Sequence, residues 1–72
     1  MSEKIYRGVF RKSNGTRLRM DFYAESRPLA LSHAACVASD THAIREHGSQ
    51  LEVVRVTRTA AADRAGEFVE IS

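Results

Sequence analysis

Several residue types are rare or absent in this sequence: among its 72 residues there is one cysteine, one proline and no tryptophan. A lone Cys36 excludes an internal disulfide and is typical of a reducing compartment. No apolar run approaches the roughly 18 residues of a membrane span, and the first residues lack a signal-peptide pattern. We therefore expect one soluble domain, residues 1–72, in the cytoplasm of its cell and with no membrane partner.

Signatures of catalysis are also missing. The four glycines are scattered, which excludes a glycine-rich phosphate loop. No Ser/His/Asp arrangement or carboxylate pair can be placed in one pocket, and a chain of this length has little room for a cleft of about 300 Å³. The sequence predicts a protein that is not an enzyme, with no catalytic residues and no cofactor.

One polar cluster on the predicted helix could suggest metal or thiol chemistry. It contains His33, Cys36, Asp40 and His47. Zinc needs three or four ligands at about 2.0–2.3 Å, but at about 1.5 Å rise per residue the two histidines are roughly 21 Å apart. We expect no metal site and interpret the cluster as a polar border of the helix.

Positive charge is concentrated at the start of the chain. Residues 1–19 carry six basic residues and one acidic residue, a balance of +5, whereas residues 51–72 carry three and four, a balance of −1. Nine of the eleven basic residues are arginine, whose planar guanidinium suits phosphate and carboxylate. A genome rich in G and C would produce the same bias, so both explanations stay open.

The first two predicted strands, 4–12 and 16–25, flank Asn14-Gly15, a strong hairpin signal. A two-residue loop would place Arg7 and Arg11 opposite the best core residues. A three-residue loop that includes Ser13 instead collects the apolar side chains on one face, with Gly15 in the left-handed region. We favour this register, and its core face carries Tyr6, Phe10, Leu18, Met20 and Phe22.

The remaining elements follow in simple order. Residues 27–47 are predicted to form one helix with Ser26 as its N-cap, residues 51–58 a third strand, and residues 67–72 a short fourth strand. The fold class is α+β, a small antiparallel sheet of three or four strands with one helix packed on one face (ββαβ or ββαββ). The expected spatial order is 2-1-3 or 2-1-3-4, with Val54 and Val56 pointing inward and Val53, Arg55 and Thr57 outward.

The sheet face away from the helix, called the outer face, is the candidate binding surface. We predict that its partner-binding residues are Arg7, Val9, Arg11, Arg17, Arg19, Tyr23 and Arg55. Arginines beside a stacking aromatic are typical of single-strand nucleic-acid platforms, whereas arginines mixed with aliphatics and a tyrosine are typical of protein interfaces. A solvated sheet face with scattered aliphatics would show a similar pattern.

The segments "NGTRLRMDFYAES", "ALSHAACVASD" and "HGSQLEVVRVTR" together resemble small phage-encoded anti-CRISPR proteins, over about residues 4–58. The resemblance is one of pattern and size, without a diagnostic motif, and it carries over no functional residues. It implies a non-catalytic inhibitor that binds a CRISPR surveillance complex of a bacterial host. Many such proteins are acidic DNA mimics, and the basic hairpin of this chain departs from that pattern.

The leading hypothesis is therefore a phage or mobile-element inhibitor that blocks a host nucleic-acid-handling complex, a protein or ribonucleoprotein, through its arginine-rich face. Two alternatives stay open. One is a small regulator that binds nucleic acid directly with the same face. The other is a homodimer that pairs outer faces or edge strands for structural reasons.

Overall fold

The computed structural model describes residues 3–40, 44 and 48–71. Its elements are β1 (Lys4–Lys12), β2 (Arg17–Ala24), α1 (Arg27–Ser39), β3 (Leu51–Arg58) and β4 (Val69–Ile71). The four strands form one antiparallel sheet in the order β3-β1-β2-β4, and α1 packs on one face of it. The predicted α+β fold is confirmed, and so is the 2-1-3 order. The 2-1-3-4 order is wrong, because β4 pairs with β2.

The hairpin register follows the three-residue loop. Phe10 lies opposite Leu18, and Gly8 lies opposite Met20. Gly15 has φ of 91°, a conformation that costs a residue with a Cβ atom more than it costs glycine. The turn closes when the Gly15 N–H donates to the Lys12 carbonyl over 3.0 Å and the Lys12 N–H donates to the Thr16 carbonyl over 2.8 Å. These bonds fix which side chains face the core.

The helix begins as predicted but ends early. The Ser26 hydroxyl accepts from the Leu29 N–H at 3.5 Å, which caps the first turn. At the other end Asp40 is extended, with φ −68° and ψ 117°, and its N–H donates to the Val37 carbonyl. A continuous helix over 27–47 is therefore wrong, because the helix is interrupted at Asp40, a residue type that favours caps over helix interiors. Ile44 is helical again, and its N–H donates to the Asp40 carbonyl at 3.0 Å. Residues 41–43 and 45–47 lie outside the described residues.

The core lies between α1 and the sheet. Ala30 and Ala34 are completely buried, which lets the helix lie close to the strands. The ring of Phe10 is also fully buried and meets Phe68 edge to face, with 5.7 Å between ring centroids. The buried apolar cluster consists of Tyr6, Phe10, Leu18, Met20, Phe22, Ala24, Ala30, Ala34, Leu51 and Val56.

An irregularity between β1 and β3 changes the orientation of two valines. Val9 pairs with Arg55 and Phe10 pairs with Val53, so that the register shifts and Val54 is left without a partner residue on β1. Val53 therefore packs against the core, and Val54 is 44% exposed. The prediction that Val53 points outward and Val54 inward is wrong, because the extra residue reverses the alternation of side chains. Val56 points inward as predicted.

The connection from β3 to β4, residues 59–68, has to pass β1 and β2, because its two strands lie at opposite edges of the sheet. The Thr59 N–H donates to the Ile5 carbonyl at 3.0 Å, and the Gly66 N–H donates to the Asp21 carbonyl at 2.8 Å. These hydrogen bonds fix both parts of the connection to the sheet.

Candidate binding face

The outer face is ordered by cross-strand pairs of β1 and β2. Arg7 pairs with Asp21, Val9 pairs with Arg19, and Arg11 pairs with Arg17. Partners in an antiparallel pair project from the same side of the sheet. Tyr6, Phe10, Leu18 and Phe22 belong to the core on the other side. The pleat therefore separates an apolar face from a charged one.

At the middle of the outer face, a carboxylate is held by two arginines. The side chain of Asp21 is fully buried. Its Oδ1 accepts from Arg7 Nε at 2.7 Å, and its Oδ2 accepts from Arg7 Nη2 and from Arg19 Nη1, both at 3.0 Å. Such forked bonds fix the guanidinium group in one orientation. Asp21 thus neutralises part of the charge and orders Arg7 and Arg19.

This contact also determines how Asp21 titrates. The hydrogen bond from Arg7 lowers the pKa of Asp21 below its ordinary value, and the charges of Arg7 and Arg19 act in the same direction. Burial opposes this shift, because it disfavours the charged carboxylate, but the arginines prevail. The same contact raises the pKa of Arg7. The cluster is therefore an ionised one at neutral pH.

Val9 is less exposed than the sequence predicts. It lies on the outer face between Arg19 and Arg55, its partners on the neighbouring strands, yet it is only 4% exposed. Arg19 is itself mostly buried, with 17% of its side chain exposed, and Arg19 Nη2 lies 3.8 Å from Asp63 in the β3–β4 connection. The expectation that Val9 is an exposed contact residue is wrong, because its surroundings cover it.

Three of the predicted arginines remain exposed on this face. Arg11 and Arg17 are directly opposite each other near the hairpin end, and Arg55 lies on β3 one row further along. Neither Arg17 nor Arg55 forms an ion pair with another residue in the described part of the chain. Like charges directly opposite each other destabilise a sheet. These three residues are called the arginine patch.

The seventh predicted residue, Tyr23, lies at the other end of β2. It pairs with Ile5 and is 53% exposed. It is six positions from Arg17 along the strand, which corresponds to about 20 Å. The outer face thus has an exposed aromatic ring at one end and the arginine patch at the other, with the Asp21 cluster between them.

A groove adjoins the arginine patch at the hairpin end. Its volume is about 330 Å³, so the expectation that the chain has little room for a cleft of about 300 Å³ is wrong. The groove is lined by Arg11, Ser13, Gln50 and Glu52. Arg11 Nε lies 3.8 Å from Glu52 Oε2, and the two side chains are 54% and 70% exposed. Sequence reasoning missed Gln50 and Glu52, because only the pairing of β3 with β1 brings them to Arg11, and it assigned Ser13 only to the hairpin loop.

The polar cluster that the sequence places on the helix is described only in part. His33 lies over the Phe22 ring, with 4.7 Å between centroids, and Cys36 is exposed. Over residues 3–40, 44 and 48–71, no three His, Cys, Asp or Glu side chains are grouped in a way that could hold a metal ion. His47 lies outside those ranges. No described helix is long and apolar enough to span a membrane.

Comparison with known proteins adds no relative. No family model matches the chain, and neither a curated protein nor a solved structure matches it.

Proposed function

We propose that this protein is a non-catalytic binding protein that blocks a host nucleic-acid-handling complex by contacting nucleic acid with its outer sheet face. The contacts are made by Arg11, Arg17 and Arg55, with Tyr23 as a stacking residue. Arg7 and Arg19 support these contacts by stabilising the structure of the outer face. The phage or mobile-element origin and the anti-CRISPR-like role are part of this proposal and come from the sequence resemblance.

The observation that carries the proposal is the cross-strand pair of exposed arginines, Arg11 and Arg17. Two like charges at such a position cost stability unless a negative partner lies between or above them. Asp21 neutralises charge in the middle of the face, and Glu52 lies 3.8 Å from Arg11, but Arg17 and Arg55 have no acidic partner among the described residues. An anionic ligand would relieve this repulsion.

The choice between nucleic acid and acidic protein depends on the valines. A protein interface of this type would use exposed aliphatic residues beside the arginines. Val9 is buried and Val53 packs into the core, so that of these valines only Val54, next to Arg55, is exposed, at 44%. The exposed predicted contacts are therefore arginines and one tyrosine, which supports a single-strand nucleic-acid platform over an acidic protein surface.

A capture experiment tests the proposal. The tagged protein is incubated with a bacterial lysate, with and without nuclease, and wild type is compared with Arg17→Glu. We expect wild type to retain nucleic acid and its associated proteins, nuclease to release them, and Arg17→Glu to retain much less. Arg27→Glu is the control, since Arg27 is exposed on α1, away from the outer face. A nuclease-resistant protein partner would contradict nucleic-acid contact and favour the acidic protein surface.

A further inference from the structure

The groove at the hairpin end carries a chemical pattern that phosphate binding alone does not require. A carboxylate beside the arginine patch offsets repulsion among the arginines but repels phosphates. Glu52 nevertheless lies beside Arg11 in the lining of the groove. The Glu52 carboxylate therefore indicates that the groove binds a chemical group other than phosphate.

Both charged groups keep hydrogen-bonding capacity for a ligand. The 3.8 Å between Arg11 Nε and Glu52 Oε2 is longer than a hydrogen bond. Both side chains are more than half exposed. A flat ligand could thus accept from the guanidinium and donate to the carboxylate at the same time.

Guanine fits this pair better than the other bases. Its O6 acceptor lies next to N1–H, and N1–H lies next to the N2 amino group, so that one edge offers an acceptor followed by two donors. A carboxylate can accept from both donors, while a guanidinium donates to O6 or N7. Adenine, cytosine and thymine or uracil each lack the pair of adjacent donors. In a single strand these edges are free to be read.

We propose that the groove lined by Arg11, Ser13, Gln50 and Glu52 is a guanine-selecting subsite for single-stranded nucleic acid. Glu52 accepts from N1–H and N2–H, and Arg11 donates to O6. Ser13 and Gln50 supply further polar groups at the rim. The volume of about 330 Å³ is sufficient for one base. This inference rests on the proposed function, because the flanking phosphates lie on Arg17 and Arg55.

The test uses short single-stranded oligonucleotides that have one variable base in a thymine background. We expect wild type to prefer guanine over adenine, cytosine and thymine by about tenfold, the scale of one good base contact. Glu52→Gln should abolish this preference while binding to the all-thymine strand stays equal or strengthens, since a negative charge is lost. Glu25→Gln removes the same charge from an exposed position outside the groove and should keep the preference.

The outcomes separate the two proposals. If wild type binds all four oligonucleotides equally, or if Glu52→Gln retains the guanine preference, the subsite is refuted and the proposed function stands. If wild type binds none of them, the proposed function fails and the subsite fails with it. Circular dichroism of both variants checks that the fold is unchanged, as expected for side chains exposed to solvent.

Discussion

Arg7 and Asp21 are cross-strand partners on β1 and β2, joined by two hydrogen bonds of 2.7 and 3.0 Å between guanidinium and carboxylate. The carboxylate is fully buried, whereas a third of the Arg7 side chain is exposed. The pair therefore combines a buried negative charge with a positive charge that still reaches water. It stabilises the middle of the outer face and leaves Arg11, Arg17 and Arg55 as that face's exposed arginines.

The first prediction concerns this buried carboxylate. Asp21→Asn keeps the size of the side chain but leaves Arg7 and Arg19 facing each other without their counter-charge. We expect a loss of about 3 kcal/mol in the free energy of unfolding, measured by urea denaturation. Asp63→Asn is the control, because Asp63 is 70% exposed and 3.8 Å from Arg19, and it should cost less than about 1 kcal/mol. Equal losses for the two variants would contradict the central role of Asp21.

The second prediction is a pH dependence with a defined sign. The pKa of Asp21 is lowered in the folded protein, so the unfolded chain binds the proton more readily. The stabilisation is complete above about pH 5 and is lost as the pH falls through the unfolded value near 4 toward the lower folded value. We expect the stability difference between wild type and Asp21→Asn to shrink over this acidic range. A difference that stays constant as the pH falls would show that the pKa of Asp21 is the same in the folded and unfolded states, and therefore that the arginines do not lower it.

The third prediction uses two neighbouring aromatic residues with opposite orientations. Phe22 is 5% exposed in the core, and Tyr23 is 53% exposed on the outer face. Phe22→Ala should cost about 3–5 kcal/mol, enough to unfold a domain of this size. Tyr23→Ala should fold normally and weaken nucleic-acid binding. Thermal unfolding followed by circular dichroism checks the first variant, and an unchanged melting temperature there would refute the register.

The fourth prediction compares Val9, which is buried on β1, with Val54, which lies at the bulge of β3 and is exposed. Val9→Ser places a hydroxyl at a site that is only 4% exposed, and we expect it to cost about 1–3 kcal/mol. Val54→Ser alters a side chain that is 44% exposed and should change the free energy of unfolding by less than about 0.5 kcal/mol. Chemical denaturation of both variants gives the comparison. A larger loss for Val54→Ser would mean that the bulge lies elsewhere on β3.

The hairpin was predictable because its signals are local. Asn14-Gly15 restricts the turn, and the three-residue loop is the register that gathers apolar side chains on one face. The exposure of Arg11, Arg17 and Tyr23 followed from that register. The register also predicts that Arg7 pairs with Asp21. It does not predict that the carboxylate of Asp21 is buried.

Features that depend on long-range pairing were not predictable. The bulge opposite Val9 and Phe10 exchanges the environments of Val53 and Val54, and no residue in the segment marks it. The β3–β4 connection crosses the sheet because β4 pairs with the free edge of β2. The groove likewise depends on β3 bringing Glu52 beside Arg11. In each case the deciding partner is distant in sequence.

The central claim is that the arginine patch contacts nucleic-acid phosphates. The most direct measurement is the affinity for a single-stranded oligonucleotide between about 50 and 200 mM salt, for wild type and two double variants of equal net charge. Arg17→Gln/Arg55→Gln removes two patch residues, and Arg27→Gln/Arg58→Gln removes two exposed arginines that lie on α1 and at the end of β3. We predict that the patch variant lowers the slope of log K against log salt by about 1.4, or 0.7 for each lost phosphate contact, and that the control keeps the wild-type slope. Equal slopes for the two double variants, or no measurable binding by wild type, would contradict the account.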